Sequence, residues 1–364
     1  MSTAIRQATP ADGPRILDLI RRTPQYGQVV LNFERDPDFY LGACVSCEDP
    51  DIWVAEAEEG PLLAVFNVGR RTVYVNGEPQ RVRYAHDLRV DAGARGGLLL
   101  HRMFRQLRRI LADGEWMQTV ILAENRVSME TVGSGRAGLP VYYPCGEIET
   151  SLLSTAFAGR PPHVAGIDVM RATAADIPAL QRFLDEQAPL HQFFPQYNLG
   201  GLLVADRYFN GLAPENYLLA LRGSRIVGVL GDWDQGAFKK TRVIGYPGVL
   251  RWLRPVHNAL RPLTGDLRLP AAGGTLRYRM LHTMVIANQD PDVLHVLLDQ
   301  QLHTHRDTAD ALVMGGFRDD PLLAALRGRR RRRQLSRHYV VSYDGDPRER
   351  LAPGLPPYVD LARL

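Results

Sequence analysis

The feature that most constrains this chain is an internal repeat. Ile5-Arg-Gln-Ala-Thr-Pro-Ala-Asp12-Gly-Pro14 returns 164 residues later as Val169-Met-Arg-Ala-Thr-Ala-Ala-Asp176-Ile-Pro178. Each copy reads as a strand feeding a helix. Thr9 and Thr173 stand at the N-cap, and Asp12 and Asp176 follow three residues later, the spacing of a reciprocal cap on a helix's free N–H groups. Pro10 suits the first helical turn. Apolar residues then recur at helical spacing: Ile16, Leu17, Leu19 and Ile20 in the first copy, Leu180, Phe183 and Leu184 in the second. Pro24-Gln25-Tyr26 and Pro195-Gln196-Tyr197 carry the match beyond the helices. The 364 residues therefore divide most simply into one domain used twice. The expected units are 1–157 and 167–344, joined by the Gly- and Pro-rich stretch 158–166. An insertion is expected at about 236–274, and a tail with four prolines at 345–364.

Within the first unit, 52–56 and 62–66 read as a hairpin around Gly60-Pro61, and 72–75 and 81–84 as another around Asn76-Gly77. A strand continues through 84–90. After it come a loop of small residues at 91–97, a helix from Leu98 to about Leu111, a strand at 120–124, a short helix at 125–132 and a final strand pair in 141–153. The second unit repeats the order, with a hairpin at 217–230, a strand at 276–285, a helix at 293–306 and a strand at 311–314. A short helix at 321–326 and a strand at 335–343 complete it. This order predicts an α/β chain with mixed, mostly antiparallel sheets and helices on both faces.

Charge and composition exclude several classes. Of 44 basic residues, only Lys239 and Lys240 are lysine, and an Arg bias this uniform reads as composition rather than as a site. The net charge of +4 rests on one run, Arg327 and Arg329–Arg333; without those six positives the chain is net −2. That argues against the distributed basic face of a nucleic-acid binder. No stretch reaches the ~18 apolar residues of a membrane span, and Met1–Pro10 has no signal core, so a cytoplasmic protein without a membrane partner is expected. Three cysteines make no disulfide framework, Cys44 and Cys47 lack the second pair of a zinc site, and His295, His303 and His305 lack a further ligand, so no metal is expected. The stretch 248–261 reads as a basic amphipathic helix that could touch a membrane surface, pack on its own domain or meet a dimer partner. The Arg run reads either as a patch for an anionic partner or nucleic acid, or as a solvated edge.

The best chemical signal is the strand, loop and helix at 84–111. A loop of small residues lets backbone N–H groups converge on a phosphate, and the helix start adds a favourable dipole. The loop is neither a P-loop nor a dinucleotide fingerprint, because it has no Gly-Lys-Ser/Thr and no GxGxxG. By itself it is equally a tight turn.

Residues 5–9 with Asp12, Leu88-Arg89-Val90 ahead of Ala94-Arg95-Gly96-Gly97, the long helix after the loop, and Glu124-Asn125 form a shared pattern. Through it the first unit resembles the GNAT (N-acetyltransferase) superfamily, and the second a degenerate copy of it. The resemblance implies two tandem GNAT-like domains and an acyl-CoA-dependent N-acyltransferase. It further implies acetyl-CoA as co-substrate and a small-molecule or peptide amine as acceptor. Arg95, Gly96, Gly97, Leu98 and Leu99 would hold the CoA pyrophosphate, with Asn125 and Ser128 beyond them. Leu88, Arg89 and Val90 would hold the pantetheine arm and polarise the carbonyl. His86, Asp87 and Glu124 are the candidate bases. Strand alternation puts His86 and Asp87 on opposite faces, and histidine has the pKa nearer neutrality. Substrate selection would fall to Tyr26, Phe33, Phe39 and Tyr40 with Glu34, Asp36 and Asp38. That mixture suits a cationic amine, and it equally suits a loop packing its aromatics on the core. In the second copy the loop 287–292 carries two acids, which repel a pyrophosphate. Leu98 and Leu100 stand where the family has small residues, and no tyrosine follows Asn125 closely. Both features favour the alternative, a non-catalytic CoA-sensing or partner-binding protein. A homodimer is compatible with either reading.

Overall fold

In the computed structural model, which describes residues 3–57, 60–95, 98–125 and 138–364, each copy opens with a strand, a capped turn and a helix. The first half runs β1 (Thr3–Gln7), α1 (Gly13–Arg22), β2 (Val30–Glu34), α2 (Phe39–Cys44), β3 (Ile52–Ala57), β4 (Leu62–Asn67), β5 (Arg70–Val75), β6 (Glu78–Tyr84), β7 (His86–Val90), α3 (Leu99–Ile110), β8 (Met117–Leu122) and β9 (Val141–Ser154). The second runs β10 (Asp168–Arg171), α4 (Ile177–Gln187), β11 (Tyr217–Arg222), β12 (Arg225–Trp233), β13 (Lys240–Gly245), α5 (Leu250–Thr264), β14 (Tyr278–Ile286), α6 (Pro291–His305), β15 (Ala311–Phe317), α7 (Pro321–Ala324) and β16 (Arg331–Ser342). The caps form alike in both. The Thr9 N–H and hydroxyl donate to Asp12 Oδ2 at 2.8 and 3.1 Å, and those of Thr173 to Asp176 Oδ2 at 2.8 and 2.7 Å. A single 3₁₀ turn holds each cap, and the α-helix follows it.

Two expected strands behave differently from their sequence reading. The strand at 84–90 breaks at Ala85. β6 stays in the large sheet, where Arg83 and Tyr84 pair in parallel with Met117 and Gln118 of β8, while β7 leaves to pair with β4. The cause is local: Asp87 adopts φ +55°, and the β4–β7 register slips between Val65 and Asn67, so one residue is extra. The stretch 141–153, expected as a strand pair, is one continuous strand. Gly146, at φ +133°, packs against the Phe317 ring and makes a bulge opposite His338 and Tyr339.

The halves exchange their last strands. β9, from the first half, pairs with β15 of the second; β16, from the second, pairs with β8 of the first; and β9 and β16 pair with each other along most of their length. The result is one ten-stranded sheet, β10-β11-β12-β14-β15-β9-β16-β8-β6-β5, beside a four-stranded sheet β1-β3-β4-β7. The insertion ties the halves again, because β13 pairs with β2, and Arg242 donates to Glu34 Oε1 at 2.8 Å.

The second copy repeats the bulge. Thr283 has φ +48° and follows His282, as Asp87 follows His86. There β14 parts from β15 beyond Met280, and the segment after residue 345, read in the sequence as a tail, fills the opening. Thr283 N–H and Tyr197 O–H donate to Asp360 Oδ2 at 3.1 and 2.6 Å, and Leu361, Ala362 and Arg363 are buried.

Candidate active site

The parting of β7 from β8 makes the site. Ala85 N–H donates to Gln118 O at 2.8 Å, the last rung between them. Beyond it the strands diverge around a cavity of about 370 Å³, within the ~300–1,000 Å³ of small-molecule pockets. Asp91 N–H donates to Leu63 O, so Asp91 and Arg89 turn their N–H groups toward β4. Alternation then aims those of Leu88 and Val90 into the gap.

A charged cluster lies at the mouth of the parting. Arg35 is buried, and its Nε donates to Asp87 Oδ2 at 2.6 Å; the same guanidinium donates to Gly42 O and to Ser46 Oγ. His86 Nδ1 is 3.0 Å from Asp87 Oδ2. Because that oxygen is anionic, Nδ1 carries the proton, and Arg35 Nη2, 3.2 Å from Nδ1, is a neighbour of that nitrogen and not its donor. Nε2 is left as the acceptor and has Cys47 Sγ at 3.8 Å. Burial opposes the charge on Asp87, but Arg35 and then His86 outweigh it and hold the carboxyl well below its usual range. Burial lowers the His86 pKa against the pull of Asp87, so the ring is neutral near pH 7. The expected opposite orientation of His86 and Asp87 therefore fails: the positive φ of Asp87 breaks the alternation, and both side chains join one cluster.

The second half supplies Lys239 to the same cavity. Its ammonium donates to Leu364 O at 2.7 Å, and burial pulls its pKa down to about 7. Arg89 lines the cavity as well. Its Nη1 donates to Leu88 O, its Nε has no partner, and no carboxylate pairs with it among the described residues. The far wall is apolar, with Phe66, Met103, Phe104, Leu107 and Tyr142.

Of the residues singled out in the sequence, His86, Asp87, Leu88, Arg89, Asn125 and Phe33 line this cavity. Val90 is on the same strand edge. Arg95 is exposed, with its Nε on Val90 O at 3.2 Å; Leu98 is exposed at the start of α3, and Leu99 turns into the core beneath it. Gly96, Gly97 and Ser128 lie outside the described residues. Glu124 is exposed beside Gly27, away from the cavity lining. Tyr26 is exposed, Phe39 is fully buried against Ile16 and Leu19, and Tyr40 packs beside them with its hydroxyl pushed up to about 12, chiefly by burial. The acids of that segment are already engaged: Glu34 by Arg242, Asp36 by Lys240 at 2.5 Å, and Asp38 by the N–H groups of Tyr40 and Leu41. Sequence reasoning missed Arg35 and Lys239. A signal for Lys239 existed, since it is one of two lysines in a chain of 42 arginines. The pairing of His86-Asp87 with His282-Thr283 was also there to be read. Among the described residues no cluster of His, Cys, Asp and Glu could hold a metal ion.

A strand bulge, a parting of neighbouring strands and a following helix occur twice in this chain, and the arrangement is a GNAT-like fold. Solved structures with this fold match nearly the whole chain. The chain is similar to a GCN5-related N-acetyltransferase from Sphaerobacter thermophilus, with TM-score 0.55, 13% identity, and 94% of this chain and 96% of that one covered. It is also similar to N-myristoyltransferase of Saccharomyces cerevisiae with bound myristoyl-CoA, with TM-score 0.61, 10% identity, and coverage of 95% and 80%. A probable N-acyltransferase from Enterococcus faecalis matches with TM-score 0.51 at 9% identity, covering 94% of this chain and 72% of that one. No family model matches the chain, and no curated protein does.

Proposed function

We propose that this protein is an acyl-CoA-dependent N-acyltransferase whose site is the wedge between β7 and β8. The observation that carries the reading is the cluster at the parting: an ionised Asp87, held by Arg35 and His86, with Lys239 facing the same cavity. The donor supplies an activated thioester carbonyl. The Leu88 and Val90 N–H groups are aimed where that carbonyl and the pantetheine arm would lie, and Arg89, whose Nε has no hydrogen-bond partner, offers a cation beside them. Arg95 and the start of α3 remain the proposed pyrophosphate seat. Asp87 receives the acceptor's ammonium, and His86 keeps that carboxylate oriented. Lys239 takes the proton, since its pKa of about 7 stands nearest the working pH. Acetyl-CoA is the expected donor, and the apolar wall formed by Phe66, Met103, Phe104 and Leu107 supports longer acyl groups as well.

The test is calorimetric titration with acyl-CoA of increasing chain length, followed by thiol release over a panel of amines. The reading requires saturable binding that Arg89→Glu weakens, and an amine KM that Asp87→Asn raises. Absence of binding for every chain length would dismiss the enzyme and leave a scaffold.

A further inference from the structure

α5 is built inside out. None of its residues is buried, and its half-buried positions are Leu250, Arg254, His257, Asn258, Arg261 and Thr264, spaced as one helical face. The polar members of that face are tied into the protein. Arg254 and Asn258 donate to Leu269 O at 3.3 and 2.9 Å, His257 Nε2 is 2.9 Å from Leu267 O, and Arg261 donates to Asp310 Oδ1 at 2.8 Å. The opposite face carries Val249, Trp252, Leu253, Val256, Leu260 and Leu263, each 46–78% exposed. These positions recur every three or four residues and form a single stripe of the width that ordinarily faces a core. Here it faces outward.

The border of the stripe is basic. Phe157, also exposed, sits against the end of the helix at Gly265, and Arg330 lies over its ring at 5.5 Å. Arg332 reaches Asp266 at 3.7 Å, and Arg251 stacks on Trp252 at 4.5 Å. The fold thus brings Arg330 and Arg332 of the run, set 65 residues and more along the chain, to the edge of the apolar stripe. Between Asp234 and Asp290 the sequence has one acid, Asp266, against nine Lys and Arg.

We infer that α5 lies in the surface of an anionic lipid bilayer, with the stripe in the acyl region and the arginines among the headgroups. An exposed apolar stripe edged by arginine is what an interfacial helix requires. No helix among the described residues is long and apolar enough to cross a membrane, so the contact is peripheral. A second copy of this chain is the poorer occupant: a two-fold contact through this face sets the Arg border against its own image, where like charges repel. Lys239 and Thr241, within the insertion that carries α5, and Leu276, just after it, line the cavity, so α5 is joined to the cavity through its own segment. The inference does not depend on the proposed activity.

The experiment uses the full chain and sedimentation with vesicles of equal phosphatidylcholine and phosphatidylglycerol, or of phosphatidylcholine alone. Wild type is expected to bind the anionic vesicles at least about tenfold more tightly than the neutral ones, and to lose that preference in high salt. Trp252→Glu with Leu263→Glu should cost at least about tenfold in binding while circular dichroism and melting stay unchanged, because both side chains are exposed. No binding of wild type to anionic vesicles overturns the inference, as does equal binding by the double variant. A wild-type dimer in sedimentation velocity that the double variant splits assigns the face to a second copy instead, and also overturns it.

Discussion

Replacing Arg35 by Met tests the electrostatics of the site without touching its volume much. The guanidinium is buried and donates to Asp87 at 2.6 Å, while the methionine chain can follow the stem that packs on Gly42. Losing one partner of a buried ion pair leaves the other charge uncompensated, at a cost of about 3–5 kcal/mol. Asp87 keeps His86 at 3.0 Å, and its side chain is 18% exposed, so the lower end, about 3 kcal/mol at pH 8, is expected. The sign of the pH dependence separates this from a packing defect. In wild type, Asp87 is depressed and stays ionised from pH 8 to 5, so its contribution is constant there. His86 is also depressed, so the unfolded chain binds its proton first, and stability falls as pH drops below about 6.5. Without Arg35, the folded His86–Asp87 pair binds a proton more readily than it does in wild type, so the variant loses less stability than wild type as pH falls, a difference bounded by about 1.4 kcal/mol per pH unit. Urea unfolding of both proteins between pH 8 and 5 should therefore show the gap closing. A gap below about 1 kcal/mol at pH 8, or one that stays constant or widens on acidification, refutes the reasoning.

Three further perturbations follow from the same geometry. Lys239→Met should lower turnover by about 10²–10⁴-fold and remove the pH–rate limb near 7. It should also flatten stability against pH: the folded pKa of about 7 lies below the unfolded value near 10.4, so wild type gains stability as pH rises between them, a climb visible in unfolding midpoints. Asp87→Asn should raise the amine KM by about tenfold or more while leaving acyl-CoA affinity from calorimetry intact, if that carboxylate receives an ammonium. Asp360→Ala strips an acceptor from Thr283 N–H and Tyr197 O–H, and should lower stability by about 2–4 kcal/mol in denaturant titration.

The sequence was most informative where structure is set locally. The two caps, the Asn76-Gly77 turn with φ of 58° and 85°, and the order of elements all follow from neighbouring residues. The site was legible only in part. His86, Asp87, Leu88 and Arg89 were named because they precede a phosphate-type loop. Their arrangement depends on a bulge, and no residue type announces a positive φ at an aspartate. Arg35 and Lys239 come from elements remote in sequence and meet only through tertiary pairing. The aromatics of 26–40 could not be sorted in advance, because Phe39 and Phe33 differ in burial and not in chemistry. The 345–364 segment reads as a tail by its prolines, yet its last residues hold Asp360 and Arg363 inside the second copy.

The exchange of β9 and β16 bears on how the chain is made. When β8 leaves the ribosome, one of its edges has no strand to pair with until β16 emerges about 200 residues later, an interval of roughly 10–40 s at ~5–20 residues per second. For that time a row of backbone donors and acceptors is open to any neighbouring strand, including the same segment of another nascent chain. The stretch 158–166, expected from the sequence to join two units, thus lies between β9 and β10 of one continuous sheet. A translation pause or a nick near it would strand the first half with an unfinished edge, and the two halves would reach the native state together or not at all.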